Sequence, residues 1–459
     1  MSDFTEIVKA IESGASADEL SQLRIPETFR AAYLHEDDMK RFEGMESDDK
    51  DPRVTYRIGQ IETPQLAPDE VLIANMASSV NYNAIWSAIF EPIPSFLFLW
   101  GAAKRTPWGA RHLQSFHIIG SDGAGVILKV GSGVETWKVG DEVVIGGVVF
   151  DAEDPRTQDD GMLGKNQRIW GFETNYGGYA DLTIAKVSQL MRKPKHLTWV
   201  EAASYLATLG TAYRSLNSRT ACQITPGDVV LVWGAVGGMG AFACQLTNLS
   251  GGTPVAMVSS PEKADLARSM GVEAVIDRSA EGYKFWTEDG QQDLAEMHRF
   301  KKTIRSVAGD DPAIVFEHPG RETFAASVYV AARGGAVVTS AATSGFNLEF
   351  DNRFLWMNVK RIVGSHAANA YEGLRANNLV EKARIHPTVS ETWDLSEIGV
   401  AARRLQLGKN VGKIGIRCLA TSDETGVTDT ETRERYIDDI MRFKRFAQSH
   451  VDLSVPPMA

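Results

Sequence analysis

The feature that most restricts how this sequence can fold is the apolar run Val229–Trp233, which leads directly into a glycine-rich loop. The run has no polar alternation, which is typical of a strand buried on both faces of a parallel sheet. Four more apolar runs follow it, at 254–258, 274–276, 313–316 and 336–339. Helical segments separate these runs, notably at 263–270 and 321–332. This alternation of strand and helix predicts a doubly wound α/β unit over residues 206–364.

The glycine-rich loop carries Gly234, Gly237, Gly238 and Gly240, and a predicted helix continues from Ala241. Glycine lets the backbone turn tightly and approach a pyrophosphate, while a helix N-terminus offers unpaired N–H donors and the positive end of its dipole. A glycine cluster between a strand and a helix therefore predicts a bound dinucleotide. The alternative is a glycine-rich turn that serves only the close packing of helix and strand.

The residues after the second strand of this unit favour NADPH over NADH. NAD sites usually place an Asp or Glu at the end of that strand, where it binds the ribose 2′-hydroxyl. Here two serines follow Val258, and Glu262 comes past the strand end. Ser260 and Lys263 are suited instead to a 2′-phosphate, and Arg278 after the next strand is a further candidate. Alternatively, Lys263 is an ordinary solvated lysine of a helix.

The sequence on either side of this unit has different patterns of polar and apolar residues. Residues 1–50 have the pattern of short polar helical segments, and from about residue 54 short β-rich runs with many glycines predict a small barrel-like domain. A helical stretch at 199–216 leads to the first strand of the α/β unit, and an amphipathic helix is predicted over 433–446, packed on the body or on a neighbouring subunit. We therefore predict three segments, the last returning to the first domain: 1–205, 206–364 and 365–459.

Charge and cysteine content exclude several classes of protein. Lys and Arg number 48 against 59 Asp and Glu, a net charge of −11, which makes nucleic-acid or anionic-membrane binding a poor expectation. Cys222, Cys244 and Cys418 form no CxxC pair, which excludes a disulfide framework and a four-cysteine zinc site. The N-terminus has no secretory pattern, and the most apolar window is interrupted by an acid and two prolines. We expect a soluble cytoplasmic protein.

The order of the predicted domains resembles the medium-chain dehydrogenase/reductase superfamily, and the segments Pro226-Gly-Asp and Val139-Gly-Asp-Glu-Val support the resemblance. It implies an α/β fold with a GroES-like β-rich catalytic domain and a Rossmann domain. Zinc-dependent members need a catalytic Cys/His set, but no cysteine precedes Cys222. We therefore expect no metal, and a substrate whose own electronics accept hydride, such as an α,β-unsaturated thioester or a quinone.

Several stretches are more specific than the superfamily pattern. They lie at 76–83, 168–178, 316–324, 351–357 and 360–366. Together with the N-terminal and C-terminal helices they resemble the crotonyl-CoA carboxylase/reductases, and the similarity extends over nearly the whole chain. The resemblance implies NADPH-dependent reductive carboxylation of an enoyl-CoA with CO₂ to an alkylmalonyl-CoA, without biotin or metal, by a homotetramer.

The resemblance also implies roles for four residues. Asn81 matches the position whose amide donates to a CO₂ oxygen, and Phe172 matches the wall that shields the pocket from water. Glu173 and His366 match the pair that fixes an ordered water, itself a second donor to CO₂. Each residue has a plainer interpretation: Asn81 caps a turn after a strand, Phe172 belongs to the core, and Glu173 and His366 form a structural pair.

Other positions are less specific. Thr211 is expected near the nicotinamide ribose, and Arg353 is either a ligand for a CoA phosphate or an exposed arginine with no ligand. The stretch 204–210 departs from the family pattern for short substrates, which suggests a longer or branched acyl chain. Two further function classes stay open: a plain NADPH-dependent enoyl-thioester or quinone reductase, and a non-catalytic NADPH-binding protein.

Overall fold

The computed structural model describes residues 4–458, which divide into two compact units. Unit 1 contains the chain up to Ala207 and from Asn369 onward, and unit 2 is Thr208–Ala368. The limits predicted from the sequence, 206 and 364, lie within a few residues of these boundaries. Within the described residues, no helix is long and apolar enough to cross a bilayer.

The strands, in chain order, are β1 Thr28–His35, β2 Arg57–Glu62, β3 Glu70–Val80, β4 Phe116–His117, β5 Ala124–Val130, β6 Glu142–Ile145, β7 Val148–Val149, β8 Arg168–Ile169, β9 Leu182–Lys186, β10 Leu190–Arg192, β11 Val229–Val232, β12 Thr253–Val258, β13 Ala274–Asp277, β14 Ile314–Glu317, β15 Ala336–Thr339, β16 Arg361–Gly364, β17 Val389–Asp394 and β18 Lys413–Arg417.

The α-helices are α1 Thr5–Glu12, α2 Ala17–Ser21, α3 Tyr82–Ile89, α4 Phe96–Ala103, α5 Pro107–Ala110, α6 Trp199–Ala202, α7 Leu206–Asn217, α8 Gly240–Leu249, α9 Pro261–Ser269, α10 Arg278–Glu281, α11 Leu294–Ala308, α12 Phe324–Val330, α13 Arg353–Trp356, α14 Ala370–Glu381, α15 Ile398–Gln406, α16 Thr430–Arg435, α17 Ile437–Ile440 and α18 Arg442–His450.

Unit 2 contains a parallel six-stranded sheet in the order β13-β12-β11-β14-β15-β16. The five strands predicted from apolar runs are confirmed, with β11 at the centre and all four of its residues buried. Helices cover the sheet, and one side of its core is built from residues such as Leu231, Val255, Val315 and Phe300. This is the doubly wound arrangement, in which ligand-binding loops follow the carboxyl ends of the strands.

Unit 1 contains a seven-stranded sheet in the order β10-β6-β5-β3-β18-β17, with β9 also paired to β3. Strand β3 is the spine of this sheet, since every one of its 11 residues is buried. It runs antiparallel to β5 and to β18, where Val80 lies opposite Ile414. This register brings the residue after β3, Asn81, level with the first residue of β18, Lys413.

Three sequence expectations were wrong in detail. Residues 28–35 form strand β1 rather than part of a helical segment, because the segment pairs antiparallel with β2 and buries Phe29, Ala31, Ala32 and Leu34. The predicted terminal helix is broken into α16, α17 and α18 at Tyr436 and Met441, whose backbone angles leave the helical region. The helical stretch at 199–216 is likewise divided into α6 and α7.

The three cysteines are buried free thiols.

Candidate active site

The glycine-rich loop of unit 2 connects the central strand β11 to helix α8. Gly234 has a φ of +56°, a conformation that L side chains rarely adopt. A Cβ on Gly240 would lie 2.3 Å from the Gly234 carbonyl oxygen, and the Gly237 N–H donates to that same oxygen at 2.8 Å. With Gly238 between them, these residues bend the backbone tightly and present the start of α8 to the carboxyl edge of the sheet. The loop therefore fits a dinucleotide pyrophosphate.

The end of β12 gathers the residues expected to meet a 2′-phosphate. Ser260 caps α9, because its side chain accepts a hydrogen bond from the Lys263 N–H at 3.3 Å. The Lys263 Nζ donates to the Ser259 Oγ at 3.2 Å and is half-buried rather than freely solvated. Burial lowers the pKa of Lys263, and the neighbouring Arg278 charge lowers that pKa further. Two cations that repel each other at this corner favour an anionic ligand such as a phosphate.

Other predicted residues of unit 2 lie apart from this corner. His366 is exposed and follows β16, so it shares the carboxyl edge of the parallel sheet with the glycine loop. Thr211 lies within α7, where its carbonyl accepts from the Ser215 Oγ at 2.8 Å. Arg353 starts α13 on the surface, and its guanidinium pairs with both oxygens of Asp351. That pairing gives Arg353 a local partner, and its role toward CoA stays a prediction.

In unit 1, Asn81 is the N-cap residue of α3, but its side chain makes no capping hydrogen bond. The amide turns instead toward two charged groups. Its Nδ2 donates to the Asp122 Oδ2 at 2.8 Å, and its Oδ1 accepts from the Lys413 Nζ. The plainer interpretation, in which Asn81 caps the turn after the strand, is therefore wrong for its side chain.

Lys413 and Asp122 form a buried ion pair beside Asn81, with 3.2 Å between Nζ and Oδ2. Their side chains are 3% and 1% exposed, respectively. Burial lowers the pKa of Lys413, and the Asp122 charge opposes that shift. Asp122 also accepts from the Ser79 Oγ at 2.7 Å and from the Ala207 N–H at 3.1 Å. These groups form a buried polar network around the end of β3 and the start of β18.

Phe172 and Glu173 occupy the turn that follows β8. The Phe172 ring packs against the Phe98 ring of α4, with 5.5 Å between centroids. Glu173 fastens the turn, since its Oε2 accepts from the Ile169 N–H at 2.8 Å while its own N–H donates to the Ile169 carbonyl. Burial lowers the pKa of Arg168, and the nearby Glu173 charge opposes that shift. Both side chains are half-buried, which leaves them accessible to a ligand.

Sequence reasoning missed Lys413 and Asp122. The available signal was a single lysine at the head of the alternating segment Lys413-Ile-Gly-Ile, where an apolar residue is expected. Asp122 stands among small residues in Gly-Ser-Asp-Gly-Ala-Gly and resembles an ordinary turn residue. In the described part of the chain, no cluster of three or more His, Cys, Asp or Glu side chains is placed to hold a metal ion.

Two family models match the chain. The alcohol dehydrogenase GroES-like domain matches residues 67–195, and the zinc-binding dehydrogenase model matches residues 238–381. With the antiparallel-rich sheet of unit 1 and the parallel sheet of unit 2, these matches define a medium-chain dehydrogenase/reductase, as predicted. Within that superfamily, the chain belongs to the crotonyl-CoA carboxylase/reductase family, as its similarity to curated members shows.

The similarity covers almost the entire chain. The crotonyl-CoA reductase of Streptomyces collinus is 50% identical over 441 residues, which is 96% of this chain and 99% of that protein. The crotonyl-CoA carboxylase/reductase of Cereibacter sphaeroides is 40% identical, covering 82% of this chain and 86% of that protein. The structure of a 2-octenoyl-CoA carboxylase reductase with NADP and 2-octenoyl-CoA has a TM-score of 0.91 at 44% identity, covering 96% of this chain and 99% of that one.

Proposed function

We propose that this protein catalyses the NADPH-dependent reductive carboxylation of an α,β-unsaturated acyl-CoA. Hydride adds to Cβ, and the electron pair of the Cα=Cβ bond moves into the thioester to form an enolate. Cα of the enolate then attacks the carbon of CO₂, and one C=O electron pair becomes the lone pair of the new carboxylate. The product is an alkylmalonyl-CoA, for example ethylmalonyl-CoA from crotonyl-CoA.

NADPH supplies the hydride in this proposal. The loop of Gly234, Gly237, Gly238 and Gly240 holds the pyrophosphate on backbone N–H groups at the start of α8. Ser260, Lys263 and Arg278 hold the 2′-phosphate, and Thr211 lies near the nicotinamide ribose. The fit rests on the tight glycine loop and on the two mutually repelling cations described above.

The observation that carries the carboxylation proposal is the hydrogen-bonding state of Asn81. One of its two Nδ2 hydrogens goes to Asp122, and among the described residues this nitrogen makes no second hydrogen bond. CO₂ is linear and has no net dipole, so it is held only where donors are already aimed at its oxygens. The second N–H of Asn81 is such a donor, because its direction is set before CO₂ arrives.

Of the other three residues, Phe172 extends the lifetime of the enolate, whereas Glu173 and His366 help to hold CO₂. An ordinary enoyl reductase lets Cα take up a proton, whereas a carboxylase must keep water away until CO₂ has reacted. Phe172, supported by Phe98, forms the apolar wall that excludes water. Glu173 and His366 are assigned by the resemblance alone to fix an ordered water that donates to the second CO₂ oxygen. These roles are positional and electrostatic, and none of them requires a side chain to protonate Cα.

We further propose a medium-length or branched acyl chain, longer than that of crotonyl-CoA, as the preferred substrate. The departure from the short-substrate pattern at 204–210 supports this, and so does the likeness to a structure that contains 2-octenoyl-CoA. In unit 1, Tyr205 of this stretch is fully buried and its hydroxyl donates to the Asn377 side chain, so its position is fixed by packing. A cytoplasmic homotetramer and a CoA-phosphate contact by Arg353 belong to the same proposal.

Product analysis tests the proposed reaction. The purified protein is given NADPH, labelled bicarbonate, carbonic anhydrase and enoyl-CoA esters from four carbons upward, and the products are identified by mass spectrometry. We expect labelled alkylmalonyl-CoA as the main product. A saturated acyl-CoA as the only product at saturating CO₂ identifies a plain reductase, and tight NADPH binding without NADPH oxidation identifies a non-catalytic protein.

The variant Asn81→Leu tests the role of the amide. We expect the ratio of carboxylated to saturated product to fall by a factor corresponding to about 2–4 kcal/mol, because one aimed hydrogen bond to the reacting group is lost. Hydride transfer, followed as NADPH oxidation, should change less. The matched control is Asn83→Leu, two residues after Asn81. It removes a half-buried amide that donates to the Ser121 Oγ. An unchanged product ratio in Asn81→Leu removes Asn81 from this role.

A further inference from the structure

Lys413 is a buried lysine whose donors are fully used. Its Nζ donates to the Val80 carbonyl at 3.0 Å, to the Asp122 Oδ2 at 3.2 Å and to the Asn81 Oδ1. An ammonium group has three N–H donors, so these three acceptors account for all of them. The lysine therefore has no N–H left to donate to a ligand, and we do not assign it the role of a proton donor.

The two charges determine which way the Asn81 amide faces. A lysine ammonium can only donate and an ionised carboxylate can only accept, so the amide oxygen must face Lys413 and the amide nitrogen must face Asp122. The flipped amide would place donor against donor and acceptor against acceptor. Because the two hydrogens of an amide nitrogen are fixed in its plane, bonding one to Asp122 fixes the direction of the other.

The supports of this arrangement are rigid. Asn81 follows β3, Lys413 begins β18, and the two strands pair antiparallel with Val80 opposite Ile414. Asp122 precedes β5, which pairs with β3 on its other side. A buried ion pair is a weak way to stabilise a fold, since an apolar pair of similar size is often as stable. The pair is better explained by what it orients.

We propose that Lys413 and Asp122 are positioning residues for carboxylation. They hold the Asn81 amide in one orientation, so that its remaining N–H is presented to CO₂, and they thereby set how the enolate divides between CO₂ and a proton. This inference rests on the proposed function and adds two residues to it. Neither residue touches the reacting atoms.

The first test is Lys413→Met, which keeps the length of the side chain and removes all three donors. We expect the ratio of carboxylated to saturated product to fall at least about tenfold and the KM for CO₂ to rise, because the amide is then free to rotate. NADPH oxidation at saturating enoyl-CoA should fall by a smaller factor than this ratio. If Lys413 had only a structural role, the variant would lose NADPH oxidation and keep the wild-type product ratio.

The matched control is Lys193→Met, another buried lysine of unit 1. The Lys193 side chain is fully buried and packs over the Trp199 ring. Its Nζ lies 3.5 Å from the Glu142 Oε2. It shares no partner with Asn81. We expect any loss of stability in this variant to leave the product ratio at the wild-type value.

A second variant, Asp122→Asn, has nearly the same shape and serves if the lysine variant does not fold. In either orientation the new amide sets its NH₂ against a donor, which is the Ala207 N–H on one side or Lys413 and Asn81 on the other. We expect the product ratio to fall here too. A wild-type ratio in either folded variant overturns the positioning role while carboxylation by the native enzyme stands, whereas a native enzyme that makes only saturated product overturns both proposals.

Discussion

A buried carboxyl group in unit 2 makes the stability of this protein depend on pH near neutrality. Glu317 ends β14 and is 1% exposed. Its Oε1 accepts from the Gly320 N–H at 3.0 Å and the Thr323 Oγ1 at 2.7 Å, while its Oε2 contacts the Ser327 Oγ. Burial raises the pKa of Glu317 from 4.5 to about 7, although these three hydrogen bonds oppose the shift. The carboxyl group therefore holds a proton in the folded protein well above its ordinary range.

The sign of the effect follows from proton binding. Because the folded state binds the proton more tightly than the unfolded state, the contribution of Glu317 to stability is largest at low pH. It is lost as the pH rises from 4.5 toward the folded pKa of about 7, and it does not change further above that value. A shift of this size corresponds to about 3 kcal/mol of unfolding free energy.

The perturbation is Glu317→Gln, whose amide imitates the protonated carboxyl group. Its NH₂ group can donate to the Ser327 Oγ, which also accepts from the Trp233 Nε1 at 2.9 Å. We expect the variant to match the wild type near about pH 5 and to exceed its stability by about 2–3 kcal/mol near about pH 8. The assay compares urea-unfolding midpoints of the two proteins across this range, so that titrations common to both cancel. A difference in midpoint that does not vary with pH refutes the reasoning.

Three further predictions concern the cofactor and the pocket. Lys263→Gln and Arg278→Gln should each raise the KM for NADPH about tenfold or more and change the KM for NADH little, since in the proposed site each loses a charged hydrogen bond to the 2′-phosphate. Gly240→Ala should abolish tight NADPH binding, because its Cβ would lie 2.3 Å from a backbone oxygen; Gly101→Ala, which meets nothing within 4 Å, is the control for calorimetry. Phe172→Ala should raise the share of saturated product, and in D₂O that product should carry deuterium at Cα; an unchanged share contradicts the water-excluding role.

The parallel sheet was predictable because a strand covered on both faces leaves an unbroken apolar run. Leu231 and Val315 are fully buried in such runs. Strand β16 was missed, since it is the edge of the sheet and its residues Arg361 and Ile362 are exposed, which removes the pattern. In β1 the adjacent alanines at 31 and 32 are both buried, so the alternation that identifies a half-buried strand is interrupted. These misses follow from where each strand sits in its sheet.

The cofactor loop and the buried pair mark the two limits of sequence reasoning about the site. The loop is local, because glycines spaced over seven residues predict a tight turn independently of the rest of the sequence. The pair is not local, since Lys413 and Asp122 are 291 positions apart in the sequence, and the pairing of both β18 and β5 with β3 brings them together. A lysine in an apolar strand is by itself a conflict between residue type and position. Such conflicts are expected where function outweighs local preference. Here the conflict is explained by the Asn81 N–H, whose direction the ion pair determines.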